Sequence, residues 1–260
     1  MADQQAKLPK TLRTLPLTRL LPNMLTLMSL CSGLTAMRFG LMEKWHEAII
    51  GIVFAMLFDI LDGRVARLLN TTSKFGAELD SLSDAISFGV APGFIMYQWS
   101  LSANHDFGWI AVLAFAVCSA LRLARFNTML EDEVAPAWTK RFFTGIPAPA
   151  GAGLVLVPLT AFLQFGDEIV LPSTLLCVWL IIVGGLMVSR MPTLAIKGWR
   201  VAPGWVAPIF VLAVLFFAAL VTNPWLTLTG LGLFYMALLP VGLVAYYHRK
   251  SQEEKEASNA

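Results

Sequence analysis

Apolar runs of membrane-spanning length alternate with short polar breaks along nearly the whole chain. No charge interrupts Leu20 to Met37. Ala48 to Phe58 is apolar and then meets Asp59. Ala85 to Asn104 is uncharged, and Phe107 to Leu121 ends at Arg122. Phe142 to Gly166 and Ile169 to Ser189 are two further uncharged stretches. Val201 to Tyr247 is long enough for two spans, with Thr222-Asn223-Pro224 as the turn between them. A span needs about 20 apolar residues. The pattern predicts an all-α integral membrane protein of eight transmembrane helices, near 20–41, 46–69, 78–101, 107–127, 144–165, 168–189, 204–221 and 225–247.

Positive charge orients these spans. If the N-terminus is inside, the inner segments hold 17 of the 19 lysines and arginines, and only Arg38 and Lys44 fall outside. This bias puts both termini in the cytoplasm. Trp45, Trp99, Trp109, Trp205 and Trp225 fall near predicted span ends, where interfacial tryptophans anchor helices. The organisation expected is a cytoplasmic segment over 1–19, one transmembrane catalytic domain over 20–247 and a charged cytoplasmic tail over 248–260. The polar first segment does not read as a cleavable leader.

Composition narrows the class further. Hydrophobic residues make up 57% of the 260 and charged residues 14%, against roughly 25% in soluble domains. Mean hydropathy is +0.68. A net charge of +2 leaves no basic surface for a polyanion, so a nucleic-acid partner is excluded. Cys31, Cys118 and Cys177 sit singly in apolar runs and read as small buried hydrophobes.

The chemistry is concentrated in residues 59–84, DILDGRVARLLNTTSKFGAELDSLSD. Asp59 and Asp62 are spaced i, i+3, and Asp80 and Asp84 are spaced i, i+4, so each pair shares one helix face. Asp59, Asp62, Gly63 and Ala66 lie along one side of the second helix. Gly76, Asp80, Ser83, Asp84 and Ser87 lie along one side of the third. A turn at Asn70-Thr71-Thr72-Ser73 brings the four carboxylates together at the cytoplasmic end of helices 2 and 3. An Asp well inside a membrane helix costs about 2.5–3.5 kcal/mol, and four adjacent carboxylates repel one another. Such a cluster calls for cations. Oxygen-only ligands point to Mg²⁺, Mn²⁺ or Ca²⁺ rather than zinc, and a pair of ions suits phosphoryl chemistry. Gly63, Ala66 and Gly76 leave room either for a bulky ligand or for close helix packing.

The segment reads D-x2-D-G-x2-A-R-x8-G-x3-D-x3-D, and it resembles the signature of the CDP-alcohol phosphotransferase family at every defined position. That resemblance implies displacement of CMP from a CDP-linked lipid or alcohol by a second alcohol. It implies Asp59, Asp62, Asp80 and Asp84 as ligands of divalent metal, two Mg²⁺ or Mn²⁺ ions, with Asp84 also the catalytic base on the attacking hydroxyl. Asp62, Gly63, Ala66, Arg67 and Gly76 would border the CDP moiety. Pro22-Asn23-Met24-Leu25-Thr26 resembles the P-N-x-x-T of many members. Asn23 and Thr26 would then contact the nucleotide, or serve as a helix cap and a packing hydroxyl. Ser29 departs from the pattern, where Asn is expected.

Three stretches, SDAISFGVAP (83–92), SALRLARFN (119–127) and FFTGIPAPAGAG (142–153), together with MVSRMPTLAIKG (187–198), are similar to the bacterial, serine-accepting branch of that family. The resemblance therefore implies CDP-diacylglycerol and L-serine as substrates, membrane lipids and a second copy of the chain as partners, and a bacterial inner membrane with the site facing the cytoplasm. Arg122, Arg125, Arg190 and Lys197 lie at inner helix ends and could hold the serine carboxylate. They could equally hold a lipid phosphate or follow the positive-inside rule. Glycerol 3-phosphate, inositol phosphate or choline remain as other acceptors. Outside this class stands a divalent-cation transporter, because intramembrane carboxylates mark ion paths; here they gather at one end of the spans.

Overall fold

The computed structural model describes residues 20–131, 142–169, 171–189, 191–194 and 203–258. The described residues are almost all helical, apart from short turns and one two-stranded ribbon. Helix α1 spans Leu21–Leu41 and α2 spans Trp45–Leu68. Helix α3, Lys74–Asp84, runs through a π-helical turn at Ala85–Val90 into α4, Ala91–Trp99, so the three form one rod. Helices α5 (His105–Glu131), α6 (Ala148–Phe165), α7 (Ser173–Val188), α8 (Val206–Thr222) and α9 (Pro224–Ser258) follow. Counting the α3–α4 rod once, these are the eight helices that the hydropathy pattern predicts. Helix α9 runs beyond the predicted span end at 247, as a polar extension to Ser258. The predicted segment 1–19 lies outside the described residues.

Four of the helices carry windows long and apolar enough to cross a membrane: Leu21–Leu41, Asp106–Thr128, Ala148–Phe165 and Pro224–Leu243. Ser173–Val188 and Val206–Thr222 are shorter apolar helices. Tryptophans stand at helix ends: Trp45 opens α2, Trp99 closes α4 and Trp225 is the second residue of α9. No residue of α8 is buried against the described chain, although α8 is almost wholly apolar. An apolar surface of that extent suits lipid, not water.

Helix α6 is the centre of the bundle. Eleven of its residues are buried, and it touches α2, α4, α5, α7 and α9. Around it α1 lies along α2, and α5 along α7. Small residues set these approaches. A Cβ at Gly33 would lie 2.6 Å from Ser87 Oγ, and one at Gly51 would lie 2.8 Å from Ala36 Cβ. Without a hydrophobic drive between helices in lipid, such close backbone contact supplies the packing attraction. The ribbon pairs β1 (Phe142–Thr144) antiparallel with β2 (Pro192–Leu194), with Phe143 opposite Thr193. It ties the segment entering α6 to the one leaving α7.

The candidate active site

Helices α2 and α3 meet through a tight turn. Asn70 adopts a left-handed conformation with φ of 50°, which Asn tolerates better than most residues. Ser73 then caps α3, its hydroxyl accepting from the Gly76 amide at 3.0 Å. The turn reverses the chain so that the paired aspartates of both helices converge. Oxygens of Asp59, Asp62 and Asp80 lie within 4.8 Å of one another. Asp84 joins them by a hydrogen bond to Asp59. Two carboxyls meet this closely only across a proton or a cation.

Helix α1 supports the cluster from behind. Thr26 Oγ1 lies 2.6 Å from Asp62 Oδ2 and donates to it, and Asp62 is only 5% exposed. Ser83 Oγ donates to the Thr26 carbonyl at 3.1 Å, so α1 is bonded to both aspartate helices at one residue. Asn23 faces Gly76: its Oδ1 is 3.0 Å from where a Cβ on Gly76 would sit. A side chain at Gly76 would require the tips of Asn23 and of Ser73, whose Oγ is 3.2 Å from the same point, to give by a few tenths of an ångström. Ser29, the departure from the family pattern, is buried; its hydroxyl donates to the Ala55 carbonyl at 2.9 Å and its own carbonyl accepts from Ser87. It fastens α1 to α2 and to the π turn, one helical turn from Thr26.

The cluster fits a divalent cation. Its donors are all oxygens, the set that hard cations take. Asp80 Oδ1 and Asp84 Oδ1 are buried without a hydrogen-bond partner among the described residues. Leaving a buried polar atom unpaired costs about 1–3 kcal/mol, more when it is charged. Two such atoms, one on a converging carboxylate and one on Asp84 beside it, mark a place for a positive charge. Gly63 and Ala66 line the same side of α2, half-exposed, and a Cβ on Gly63 would meet only the Arg67 guanidinium, at 3.6 Å. Arg67 reaches back to donate from Nε to the Gly63 carbonyl at 2.8 Å.

The two arginines of α5 differ. Arg125 donates to the carbonyls of Val188 at 2.7 Å and Ser189 at 3.1 Å, holding the C-terminal end of α7. Arg122 is 8% exposed, lies over the Phe126 ring, and leaves its buried Nε without a hydrogen-bond partner among the described residues. It is within electrostatic reach of Asp84 and of Tyr235 on α9. Arg190 and Lys197 lie outside the described residues. Two residues enter the site that the sequence pattern does not single out. Asn127 exchanges hydrogen bonds with Ser81, next to Asp80, and so ties α5 to α3. Tyr235 comes from a helix more than a hundred residues away, so no local spacing could have announced it.

Comparison with known proteins follows the same geometry. The profile of the CDP-alcohol phosphatidyltransferase family matches residues 19–189, and that of CDP-alcohol phosphatidyltransferase 2 matches residues 204–240. The chain is 41% identical over 235 residues to the CDP-diacylglycerol–serine O-phosphatidyltransferase of Mycobacterium leprae, covering 90% of this chain and 78% of that one. The protein of that name from Helicobacter pylori strain 26695 is 34% identical, over 87% of this chain and 91% of its own. Its namesake from Bacillus subtilis is 36% identical over 54% of this chain. The first profile covers the aspartate hairpin, the helix that braces it and both arginines of α5: the chain belongs to the CDP-alcohol phosphatidyltransferase family.

Proposed function

We propose that this chain transfers the phosphatidyl group of CDP-diacylglycerol to the hydroxyl of L-serine and releases CMP. The carrying observation is the convergence of Asp59, Asp62 and Asp80, with Asp84 beside them and two buried carboxylate oxygens unpartnered. The choice of serine rests on the printed names of relatives 34–41% identical to it. Family membership sets the transport reading aside.

Asp59, Asp62, Asp80 and Asp84 would hold one or two divalent cations, Mg²⁺ or Mn²⁺, which when bound neutralise the pyrophosphate and act as Lewis acid at the transferred phosphorus. Gly63 and Ala66 form the uncrowded floor for the CDP moiety, with Gly76, Asn23 and Thr26 along its edge and Arg67 near its phosphates. Thr26 fixes the rotamer of Asp62, which keeps the ligand set preorganised. Asp84 takes the proton of the serine hydroxyl as that oxygen bonds to the phosphorus carrying diacylglycerol, and the bond from that phosphorus to the CMP oxygen breaks. Arg122, buried with a free Nε, holds the serine carboxylate opposite Asp84. Arg125 acts by positioning, because two of its donors are spent on the α7 carbonyls. The positive-charge bias supports a site and termini on the cytoplasmic side of a bacterial inner membrane, and the chain works as a homodimer.

Purified protein given CDP-diacylglycerol and Mg²⁺ or Mn²⁺ is expected to release CMP with L-serine and not with glycerol 3-phosphate, inositol phosphate or choline. Release driven by another alcohol would overturn the acceptor assignment and keep the aspartate chemistry. Arg122→Ala is expected to raise the serine KM at least tenfold at little cost in thermal stability, and Arg122→Lys to restore little, since a single ammonium lacks the fork. Arg125→Ala is expected to do the reverse. It loses two charge-assisted bonds, each worth about 1.5–3 kcal/mol, so its melting temperature falls while the serine KM changes little. Equal effects of the two alanine variants on the serine KM would refute the division of labour.

A further inference from the structure

The rod of α3 and α4 winds less than an uninterrupted α-helix of its length. Ser83 and Ile95 both face α1. Ser83 Oγ donates to the Thr26 carbonyl at 3.1 Å, and a Cβ on Gly40 would lie 3.4 Å from Ile95 Cγ1. Ser81 and Gly93 both face α5. Ser81 exchanges hydrogen bonds with Asn127, and a Cβ on Gly93 would lie 3.3 Å from Val112 Cγ1. Within each pair the residues stand twelve positions apart. Twelve residues of α-helix make about 3.3 turns, which would set the two members about 120° apart around the rod. The π turn removes that offset. Its bonds reach back five residues rather than four, as from the Ala91 amide to the Ile86 carbonyl, so the turn takes up one residue more. The remaining eleven make about three turns, and both faces line up.

This setting reaches the carboxylates. Asp84 is the last residue of α3, directly before the turn. Helix α4 is fixed in the bundle by Ala91, Pro92, Gly93, Ile95 and Met96, all buried. Were Ala85–Val90 to wind as α-helix, the added twist would fall on the α3 end, and Asp84 would swing away from Asp59. Three contacts hold the turn as it is. Ser87 Oγ donates to the Ser29 carbonyl at 3.3 Å. Gly33 lets α1 approach closely, since a Cβ there would lie 2.8 Å from Ser87 Cα. Against α5, a Cβ on Gly89 would lie 2.9 Å from Ser119 Oγ. Asp80, one turn before Asp84, is held separately, through the bonds of its neighbour Ser81 to Asn127.

We propose that the π turn positions Asp84 for proton transfer, and that Ser87 is the positioning residue that holds the turn in register. The proposal rests on the transfer reading above and deepens it. Ser87 is fully buried and bonded to a backbone carbonyl, so it acts through the placement of Asp84 and not on substrate. A misplacement of about 1 Å at the reacting groups costs about 10²-fold in rate, so a small relaxation of the turn is enough to show in turnover.

Ser87→Ala deletes a single oxygen. It is expected to lower kcat with L-serine about tenfold, the effect of one hydrogen bond. The KM for CDP-diacylglycerol and the Mg²⁺ concentration required should stay at wild type, because Asp59 and Asp62 belong to α2 and Asp80 has its own tie. Gly33→Ala, which drives a Cβ against the Ser87 backbone, is expected to lower kcat about 10²-fold with the same split. Thr229→Val is the control. It deletes a buried hydrogen bond of 2.8 Å between α9 and α6, and should lower the melting temperature at least as much as Ser87→Ala with kcat unchanged. The structure of Ser87→Ala should show Asp84 turned away from Asp59. Unchanged kcat in Ser87→Ala and Gly33→Ala would overturn the proposal. So would a kcat loss in Thr229→Val equal to theirs, or a metal requirement that rises in step with the loss of kcat. If wild-type protein releases CMP with no alcohol, the transfer reading falls. The structure of the variant then decides alone: Asp84 still bonded to Asp59 overturns the positioning, and Asp84 turned away upholds it.

Discussion

Asp84→Asn is expected to lower CMP release by about 10²–10⁴-fold, the range a positioned general base contributes. The substitution keeps the shape of the side chain and its ability to meet Asp59, with which Asp84 shares a hydrogen bond. It replaces a carboxylate whose Oδ1 is buried without a hydrogen-bond partner among the described residues. The folded state should survive, because an amide at that place relieves one charge among four. Nucleotide binding, read as thermal stabilisation by CDP, should persist in part, because Asp59, Asp62 and Asp80 still converge. Turnover within a fewfold of wild type would move the base elsewhere. Loss of CDP binding together with turnover would make Asp84 a binding group and not a base.

Metal removal has an effect of comparable size. Chelation with EDTA is expected to bring CMP release to background, and added Mg²⁺ or Mn²⁺ to restore it. Stabilising the charge on a transferred phosphoryl group is worth several kcal/mol, and each 1.4 kcal/mol is a factor of ten in rate. The protein should also report the metal without any turnover. A cation that binds only the folded chain, at a hundred times its Kd, adds about 2.7 kcal/mol of stability, so the melting temperature should rise on titration. Asp59→Asn, Asp62→Asn and Asp80→Asn should each raise the metal concentration needed at least tenfold. For Asp62 the structure adds a check: Thr26→Val removes the donor 2.6 Å from its carboxylate and should weaken metal binding more mildly than loss of the carboxylate itself. Activity and melting temperature that ignore both chelation and titration would sink the metal assignment.

These expectations draw unequally on sequence and structure. The i, i+3 and i, i+4 spacings alone put Asp59 with Asp62 and Asp80 with Asp84, because helical periodicity is local. The Asn70–Ser73 turn was legible for the same reason: a left-handed Asn and a Ser cap are local devices. The eight helices followed from hydropathy, since lipid admits only segments whose backbone is bonded within itself. The division between Arg122 and Arg125 was not legible. Both sit on the same helix, three residues apart, with the same charge, and only the packing of α7 against α5 decides that Arg125 meets the Val188 and Ser189 carbonyls while Arg122 keeps an Nε without a partner among the described residues. Ser29 reads in sequence as a departure from a family pattern; in the fold its hydroxyl bonds α1 to α2, and its backbone carbonyl accepts from Ser87.

By itself, then, the sequence determined the helical membrane class, the hairpin that gathers four aspartates and the family to which that hairpin belongs. Each is written in contacts between residues a few positions apart, or in the bulk preference of a segment for lipid. Tertiary structure alone decided which carboxylate oxygens are left unpartnered, that Thr26 steadies Asp62, and that α9 carries Tyr235 to the edge of the site and walls a cavity against α2 and α6. Those features depend on helices far apart in the chain. Their side-by-side arrangement rests on glycine and serine contacts such as Gly33 on Ser87 and Gly232 on Val157, which carry no periodic signal along the sequence.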